Sequence, residues 1–561
     1  MSVLTGMLSG CGGGGGGGDS TVVETADPAP ETPAPASPIA EPSSAEIAAA
    51  SRFTAQASFG LPYSDIVSVA AEGHANWLVD QFNMPTTRHT PLVVELLERR
   101  KNGEFSDIEE DVELLISFRR YSWWHNSITA PDQVRQRVAL ALSEILVVSD
   151  RVDALLLSPL ALSTYYDVLL DGAFGNFREL LYEVALHPAM GFYLSHANNA
   201  KADLANNRFP DENFAREVMQ LFSIGLFELN NDGTHKLAAD GLPIPSYTSI
   251  DIREFARIFT GLSWGGDDAF FGNPIPVFFE PMLMFDEFHE TGEKRLLNDQ
   301  IVPAGQTGLE DIRSALDNLF NHPNTGPFIC RQLIQRLVTS NPSPSYINRV
   351  ASVFNNNGFD IRGDMRSVVQ AILLDPEATT PADPTTAGKL REPLVRNVAF
   401  LRQLNPESTD GRFFNSGFFG EALATQGALS APSVFNFFLP DHVPGGALSA
   451  AGLFAPEFQI TNSTTIAGIT NLVDIAINGG FSVDAQPPFG AVTLNLSEFE
   501  ALAAIPAELV QRLDLTFTHG EMSQGTKDLI IEVLNDLDDM NLRAKTALYI
   551  TLTSPDYAVR I

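Results

Sequence analysis

Cysteine is almost absent from this chain, because only Cys11 and Cys330 occur among its 561 residues. The two stand on opposite sides of a glycine-rich stretch at residues 12–18, which argues against a structural disulfide. Cys330 lies in an apolar pattern, where an unpaired cysteine usually behaves as a small buried hydrophobic residue. With 44% hydrophobic residues, the chain has enough apolar side chains to rely on a packed core instead.

Positive charge is scarce as well. The chain has 35 Lys and Arg residues against 69 Asp and Glu residues, and its formal net charge is −34. Such a surface repels nucleic acid and anionic lipid headgroups, so we expect neither as a direct partner. The acidic residues are scattered along the chain, which favours a solvated acidic surface over a dedicated cation-binding role.

No stretch reaches the ~20 consecutive apolar residues that a membrane-spanning helix needs. The N-terminus nevertheless carries a membrane signal. Leu8-Ser9-Gly10-Cys11 resembles the lipobox of bacterial lipoproteins, in which the cysteine is lipidated and becomes the new N-terminus. Residues 12–44 follow as a tether that is first glycine-rich and then rich in proline and alanine. The pattern predicts lipidation at Cys11 and attachment to the membrane by a lipid anchor alone.

Residues 1–10 contain no Lys or Arg and are short for a signal peptide, which has a basic start and an apolar run of about 7–15 residues. Two interpretations stay open: translation starts further upstream, or the lipobox match is due to chance. We adopt the lipoprotein interpretation. Since Gly12, and not an aspartate, follows Cys11, we expect the outer membrane as the location within the cell envelope.

From residue 45 onward, apolar residues recur every three and four positions between proline and glycine stops. This periodicity predicts a mostly α fold, a large multi-helix globular domain with a small β-hairpin or irregular excursion. The main helical domain is expected over residues 45–455, with a C-terminal helical lobe packed on it over residues 456–561. Turn sequences place the excursion at residues 228–247.

One stretch, residues 211–225, brings acidic, amide and basic side chains onto a single apolar helix. Asn213, Arg216 and Glu217 stand at i, i+3 and i+4, so that they share one stripe of that helix. The apolar residues of the stretch predict its buried face: Phe214, Val218, Leu221 and Phe222.

Several motifs occur together in this order: Arg52-Phe-Thr-Ala-Gln-Ala-Ser-Phe-Gly60, Asp132-Gln-Val-Arg-Gln-Arg-Val-Ala-Leu-Ala-Leu-Ser-Glu144, His187-Pro-Ala-Met190, residues 211–225, Phe255-Ala-Arg-Ile-Phe-Thr-Gly261 and His322-Pro-Asn-Thr-Gly-Pro-Phe328. In these motifs the chain resembles the bacterial domain-of-unknown-function 1800 family, over roughly residues 50–440 and more weakly to the end. The resemblance implies an exported, mainly helical protein with no activity that can be assigned.

The same resemblance implies a partner, because family members are often encoded beside a second exported family with an alkaline-phosphatase-like fold. We therefore expect an exported alkaline-phosphatase-like companion protein. The chain departs from the commonest family pattern after His289, where Glu290 replaces the usual aspartate. This departure puts any role for position 290 in doubt.

Glu183 and His187 stand one helical turn apart, a spacing at which a carboxylate and an imidazole can share a divalent metal. The competing interpretation is an ordinary helix end, since Pro188 follows directly and a histidine there interacts well with the helix dipole. No His-Glu-x-x-His or paired Cys-x-x-Cys pattern accompanies the pair.

The polar stripe of residues 211–225 has two interpretations, a polar site or a salt-bridge network that joins helices, and the second is the commoner use of such pairs. His289 and Lys294 would add groups suited to acid–base chemistry if they lay nearby. The candidate catalytic residues are Glu183, His187, Asn213, Arg216, Glu217, His289 and Lys294, of which Glu183 and His187 are also the candidate metal ligands.

Two functions fit these observations. The first is a non-enzymatic binding or scaffold protein, tethered in the envelope and working with the exported partner. The second is an envelope hydrolase, dependent on a divalent metal and built on the candidate residues. A hydrolase requires those residues to converge on one open pocket, whereas a binding protein predicts that they separate or pair in a closed core. We place the binding protein first.

Overall fold

Helices make up most of the computed structural model, which describes residues 16–18, 41–105, 111–380, 388–481 and 490–561. The predicted mostly α fold is confirmed. The helices of the first half are α1 (Ser44–Ala57), α2 (Tyr63–Glu72), α3 (His74–Asn83), α4 (Thr90–Lys101), α5 (Asp111–Thr129), α6 (Gln133–Ser143), α7 (Asp153–Leu156), α8 (Pro159–Gly172), α9 (Phe177–Leu186), α10 (Pro188–Tyr193), α11 (Asn213–Gln220), α12 (Ser249–Ile258) and α13 (Gly308–Asn321).

The second half continues in the same way, with proline at the first turn of many helices, where its missing N–H is not needed. Its helices are α14 (Thr325–Leu337), α15 (Pro344–Asn355), α16 (Met365–Leu373), α17 (Pro376–Thr379), α18 (Pro393–Gln403), α19 (Asn415–Ala424), α20 (Ala447–Ala450), α21 (Ser463–Asn478), α22 (Ser497–Leu502), α23 (Pro506–Leu513), α24 (Gln524–Asn535), α25 (Met540–Thr553) and α26 (Pro555–Ala558).

Strands in the described residues are short and form two-stranded antiparallel pairs. The pairs are β1 (Leu262–Ser263) with β2 (Leu283–Met284), β3 (Lys294–Arg295) with β4 (Ile301–Val302), β5 (Lys389–Leu390) with β8 (Val559–Arg560), and β6 (Pro406–Ser408) with β7 (Val492–Leu494). The third pair is the most distant in sequence and ties the last residues of the chain to the start of α18.

The excursion predicted at residues 228–247 consists of three short extended segments that bond to one another. Glu228 donates its N–H to Ile244 O at 2.7 Å, Lys236 donates to Glu228 O at 2.8 Å, and Ile244 donates to Lys236 O at 3.1 Å. Each segment therefore contacts both of the others, and the excursion is held by backbone bonds without a regular sheet.

Helix α6 lies at the centre of the fold, and every one of its residues is buried. Its sequence suggests one apolar face with Arg135 and Glu144 outside it, but both of these side chains are buried as well. Packing from α1, α3, α8 and α14 encloses the helix on all sides. Arg135 is accommodated by donating to Leu170 O at 3.1 Å and by stacking over the Phe174 ring, at 4.3 Å from its centroid.

Helix α11 is shorter than the helix expected from residues 211–225. Asp211 accepts the Asn213 N–H at 2.7 Å, and regular structure ends at Gln220. The apolar face is buried as predicted at Phe214, Val218 and Phe222. Beyond the helix, Gly225 adopts φ +71°, and a side chain there would meet the Phe328 ring at 2.6 Å. Glycine is required at this position for both reasons.

Residues 42–561 form one compact unit, in which the first helix contacts a segment near the end of the chain. Helix α1 packs against the π-helical segment Asp514–Thr518, and Ser51 Oγ lies 2.8 Å from His519 Nδ1. The expected division near residue 455 stays a prediction. Cys11 and most of the predicted tether lie outside the described residues. Among the helices that are described, none is long and apolar enough to cross a membrane.

Candidate functional site

Glu183 and His187 lie in different surroundings. Glu183 is exposed on α9 and makes no hydrogen bond or ion pair with the described residues, whereas His187 is buried between α9 and α10. His187 Nδ1 accepts the Ala189 N–H at 3.2 Å and so caps α10. Burial lowers the pKa of His187 to about 3, which keeps the ring neutral. In the part of the chain that is described, no three His, Cys, Asp or Glu side chains are grouped to hold a metal.

The polar stripe of α11 divides between surface and core. Arg216 is exposed and pairs with Glu212 at 3.2 Å, and Asn213 donates to Ser195 Oγ at 3.4 Å on the surface. Glu217 is buried, with Oε2 lacking a hydrogen-bond partner. Burial raises the pKa of Glu217, and Arg216 opposes this shift. The three candidates therefore do not form one site.

His289 and Lys294 do meet, on an acid that the sequence did not indicate. Asp311 Oδ2 lies 2.9 Å from His289 Nε2 and 2.5 Å from Lys294 Nζ. On the other edge of the ring, His289 Nδ1 donates to Thr260 O at 2.9 Å, because a carbonyl can only accept. Lys294 also donates to Gly292 O at 3.0 Å. The three ionisable side chains form a closed triad.

The triad is assembled from three separate elements. Asp311 lies in the first turn of α13, which Thr307 caps and where backbone N–H groups favour a carboxylate. His289 follows a short 3-10 turn, and Lys294 belongs to β3. All three side chains are at most 1% exposed. No solute can reach them in this conformation, so the triad joins β3 to α13 and does not open on a pocket.

A cavity of about 340 Å³ opens at a different place, between the end of α11, α14 and the loop at residues 434–441. Its volume falls in the range of about 300–1,000 Å³ that is usual for small-molecule sites. We call it the α14 cavity, because that helix supplies its polar floor. The floor consists of the buried lining residues Glu144, Gln332, Gln335 and Arg336.

Two amides of the floor have groups without partners. Gln335 Nε2 donates to Ser340 O and Pro440 O, both at 3.0 Å, which fixes the amide and leaves Oε1 buried without a hydrogen bond. Gln332 Nε2 is likewise buried and has no acceptor. A buried polar group without a partner is costly, so each exception calls for an explanation. Both residues line the α14 cavity.

Two residues of the floor, Glu144 and Arg336, belong to a buried charge cluster that also contains Arg137 and Glu392. Arg336 donates to Glu144 O at 2.8 Å, and its Nε lies 3.3 Å from Glu144 Oε2. Arg137 donates to Arg336 O at 2.6 Å and lies 3.7 Å from Glu392. Each guanidinium thus contacts both a carboxylate and a backbone carbonyl, which is how a core accommodates such charges.

The two acids of the cluster are held in different states. Burial and the adjacent Glu392 raise the pKa of Glu144 well above its ordinary value, against the opposing effect of Arg336. Burial also acts against ionisation of Glu392, but hydrogen bonds and nearby cations prevail and lower its pKa. Glu392 further accepts from Gln426 at 2.7 Å and stands at the N-terminus of α18. The pKa values of the two neighbouring acids are therefore shifted in opposite directions.

The exposed residues at the mouth of the α14 cavity are mostly apolar. Four are hydrophobic, Leu226, Phe227, Phe435 and Leu439, and two are polar, His235 and Asp441. Phe328 forms part of the wall, and its ring can lie against the chain only because Gly225 has no side chain. An apolar mouth above a polar floor is the usual composition of a site that binds a small organic molecule.

The sequence of α14 contains a signal for this floor. Within α14, Arg331, Gln332, Gln335 and Arg336 stand at i, i+1, i+4 and i+5, so they form a polar stripe on an otherwise apolar helix. Asp311 and Glu144 had no comparable signal, since each is a single acid beside a helix terminus.

A comparison with family models identifies the family. The model described as "Protein of unknown function (DUF1800)" matches residues 52–559, so the chain belongs to this family. The match extends to the last helices, beyond the stretch over which the motifs are recognisable by eye. Searches of curated proteins and of solved structures found no match.

Proposed function

We propose that this protein is a non-enzymatic binding protein of the cell envelope, lipidated at Cys11 and tethered to the outer membrane. It takes a small organic ligand in the α14 cavity. The observation that carries the proposal is a cavity of about 340 Å³ whose floor contains two buried amides, each with one polar atom that has no hydrogen-bond partner. The closed packing of the His289 triad, away from this cavity, is what a binding protein with structural ion pairs predicts.

A neutral fluorescent probe tests this function. The experiment measures N-phenylnaphthylamine binding to the full chain carrying Cys11→Ala, so that no attached lipid competes. We expect saturable binding, weakened about tenfold by Phe435→Asp, which replaces an apolar wall of the mouth with a charge. Phe359→Asp is the matched control, because Phe359 is also exposed but lies outside the cavity. Absence of saturable binding, or equal effects of the two substitutions, would refute ligand binding in this cavity.

One observation favours a second function. Glu144 is a carboxylic acid with a raised pKa at the floor of the cavity, as a general acid would be. A hydrolase would then use Glu144 as its general acid. Its dependence on a metal held by Glu183 and His187 is tested by measuring the metal content of the natural chain, of Glu183→Ala and of His187→Ala by elemental mass spectrometry. Hydrolysis of nitrophenyl esters that Glu144→Gln abolishes would favour this second function. Unchanged turnover in that variant would refute it.

The proposed partner is the exported alkaline-phosphatase-like companion protein. The acidic surface and the tether support a role within an envelope assembly, where the anchor holds the chain close to other exported proteins. Co-purification of the two proteins from detergent-solubilised envelopes, with the Cys11→Ala chain as the control for co-localisation, tests the partnership. Separate elution in both cases would count against it.

A further inference from the structure

The α14 cavity contains an arginine whose donors are not used by the protein. Arg331 is half-buried on α14 and makes no hydrogen bond or ion pair with the described residues. Its guanidinium lies 5.2 Å from the centroid of the Phe454 ring, a contact that holds the plane of the group but satisfies none of its five N–H donors. Arg137 and Arg336, which lie close by, are both bonded to the protein.

Two arginines and two acids line the α14 cavity, and only one arginine is paired with an acid. Arg336 Nε lies 3.3 Å from Glu144 Oε2, whereas Asp441 is an exposed acid at the edge of the cavity. Burial lowers the pKa of Arg331, and the nearby Asp441 opposes this shift. An arginine side chain stays a cation at neutral pH. Arg331 is thus a guanidinium of the lining that no described carboxylate binds.

The unpartnered amides add directional groups beside this charge. Gln332 follows Arg331 directly, and its Nε2 is a buried donor without an acceptor. Gln335 Oε1, one turn further along α14, is a buried acceptor without a donor. Arg331 and the two glutamines thus lie on one helix, in a lining that is otherwise mostly aromatic and aliphatic.

We propose that the α14 cavity binds an organic anion with a flat apolar body, whose acidic group is received by Arg331. This inference rests on the proposed function and deepens it by naming the ligand class. A planar guanidinium matches a carboxylate or a related oxyanion through two parallel hydrogen bonds. The exposed apolar side chains of the mouth contact the body of the ligand.

The test compares two probes that differ by one charged group. Anilinonaphthalene sulfonate and N-phenylnaphthylamine share the same rings, and only the first has an anionic substituent. In the full chain with Cys11→Ala, we expect the sulfonate to bind about tenfold more tightly than the neutral probe, since a charged hydrogen bond is formed only by the anion. Arg331→Gln should remove this preference, so that the ratio of the two affinities falls to about one.

Arg253→Gln is the matched control, because Arg253 on α12 is also free of hydrogen bonds and ion pairs with the described residues but is fully outside the cavity. It should leave both affinities unchanged. Equal affinities of the two probes for the natural cavity would overturn the anion proposal and leave the binding function standing. Loss of anion preference in Arg253→Gln would also overturn it, by showing a general effect of charge. Failure of both probes to bind would reject the proposed function itself.

Discussion

Lys294 Nζ lies 2.5 Å from Asp311 Oδ2 inside a closed core, and both side chains are 1% exposed. Arg216 and Glu212, which stand at 3.2 Å on the surface of α11, form the same kind of pair in water. The two pairs differ in what their loss would leave behind. Removal of Lys294 leaves the charge of Asp311 buried and without its partner. Removal of Arg216 leaves the charge of Glu212 in contact with water.

We predict that Lys294→Met lowers the free energy of unfolding by about 3–5 kcal/mol, since Asp311 then loses its ammonium partner without access to water. Arg216→Ala should cost less than about 1 kcal/mol. Urea unfolding of the full chain, followed by far-ultraviolet circular dichroism, measures both. Equal losses in the two variants would show that the triad has no special role in stability.

Substitution by glutamine should change the free energy of unfolding much less at Glu144 than at Glu392. Glu144→Gln places an amide there that can donate to Glu392 and accept from Arg336, so we expect a change within about 1 kcal/mol at pH 7. Glu392→Gln leaves Arg137 without its carboxylate and should cost about 3–5 kcal/mol.

The pH dependence gives the sign of each effect. The raised pKa of Glu144 means that its contribution to stability is full below the ordinary value of 4.5 and falls as pH rises, so Glu144→Gln should gain relative stability with increasing pH. The lowered pKa of Glu392 has the opposite consequence, and the loss in Glu392→Gln should shrink as pH falls. Thermal unfolding from pH 4 to pH 8 measures how the stability of each variant changes with pH. Parallel curves for the two variants would contradict the opposite pKa shifts of Glu144 and Glu392.

His187 should make the fold sensitive to acid. Its pKa falls from 6.5 to about 3 on burial, so the unfolded chain binds a proton that the folded chain does not. The stabilising contribution is present above pH 6.5 and is lost as pH falls, by about 2 kcal/mol at pH 5. His187→Asn keeps an acceptor for the Ala189 N–H but cannot titrate in this range.

The measurement is the free energy of unfolding of the natural chain and of His187→Asn between pH 8 and pH 5. We expect the variant to lose less stability over that interval. His235→Asn is the control, because it makes the same substitution at an exposed histidine. A variant at position 187 with the full acid sensitivity of the natural chain would refute the explanation.

Lipidation predicts a specific behaviour on fractionation. The natural chain should sediment with envelope membranes and enter the detergent phase, whereas Cys11→Ala should be soluble, because removal of the acyl chains removes the apolar anchor. Mass analysis of the peptide that begins at Cys11 checks the modification directly. An unmodified peptide in membrane-bound protein would exclude this cysteine as the anchor.

Local sequence patterns determined most of the helices and the buried face of α11. Phe214, Val218 and Phe222 recur at helical spacing and are buried, because the period of an α-helix fixes which side chains share a face. The same rule could not place Glu217 in the core and Arg216 on the surface. That difference depends on which neighbouring helices cover the stripe.

The sequence therefore determined the mainly helical fold, the family and the identity of two members of the triad, since periodicity and motif order are properties of neighbouring residues. Only the tertiary structure places Asp311 against His289 and Lys294 and buries Glu144 beside Glu392. It also places Arg331 and two glutamines of α14 in the lining of a cavity. These contacts join residues that are far apart in sequence. Their burial and protonation depend on the dielectric surroundings that the packed helices create.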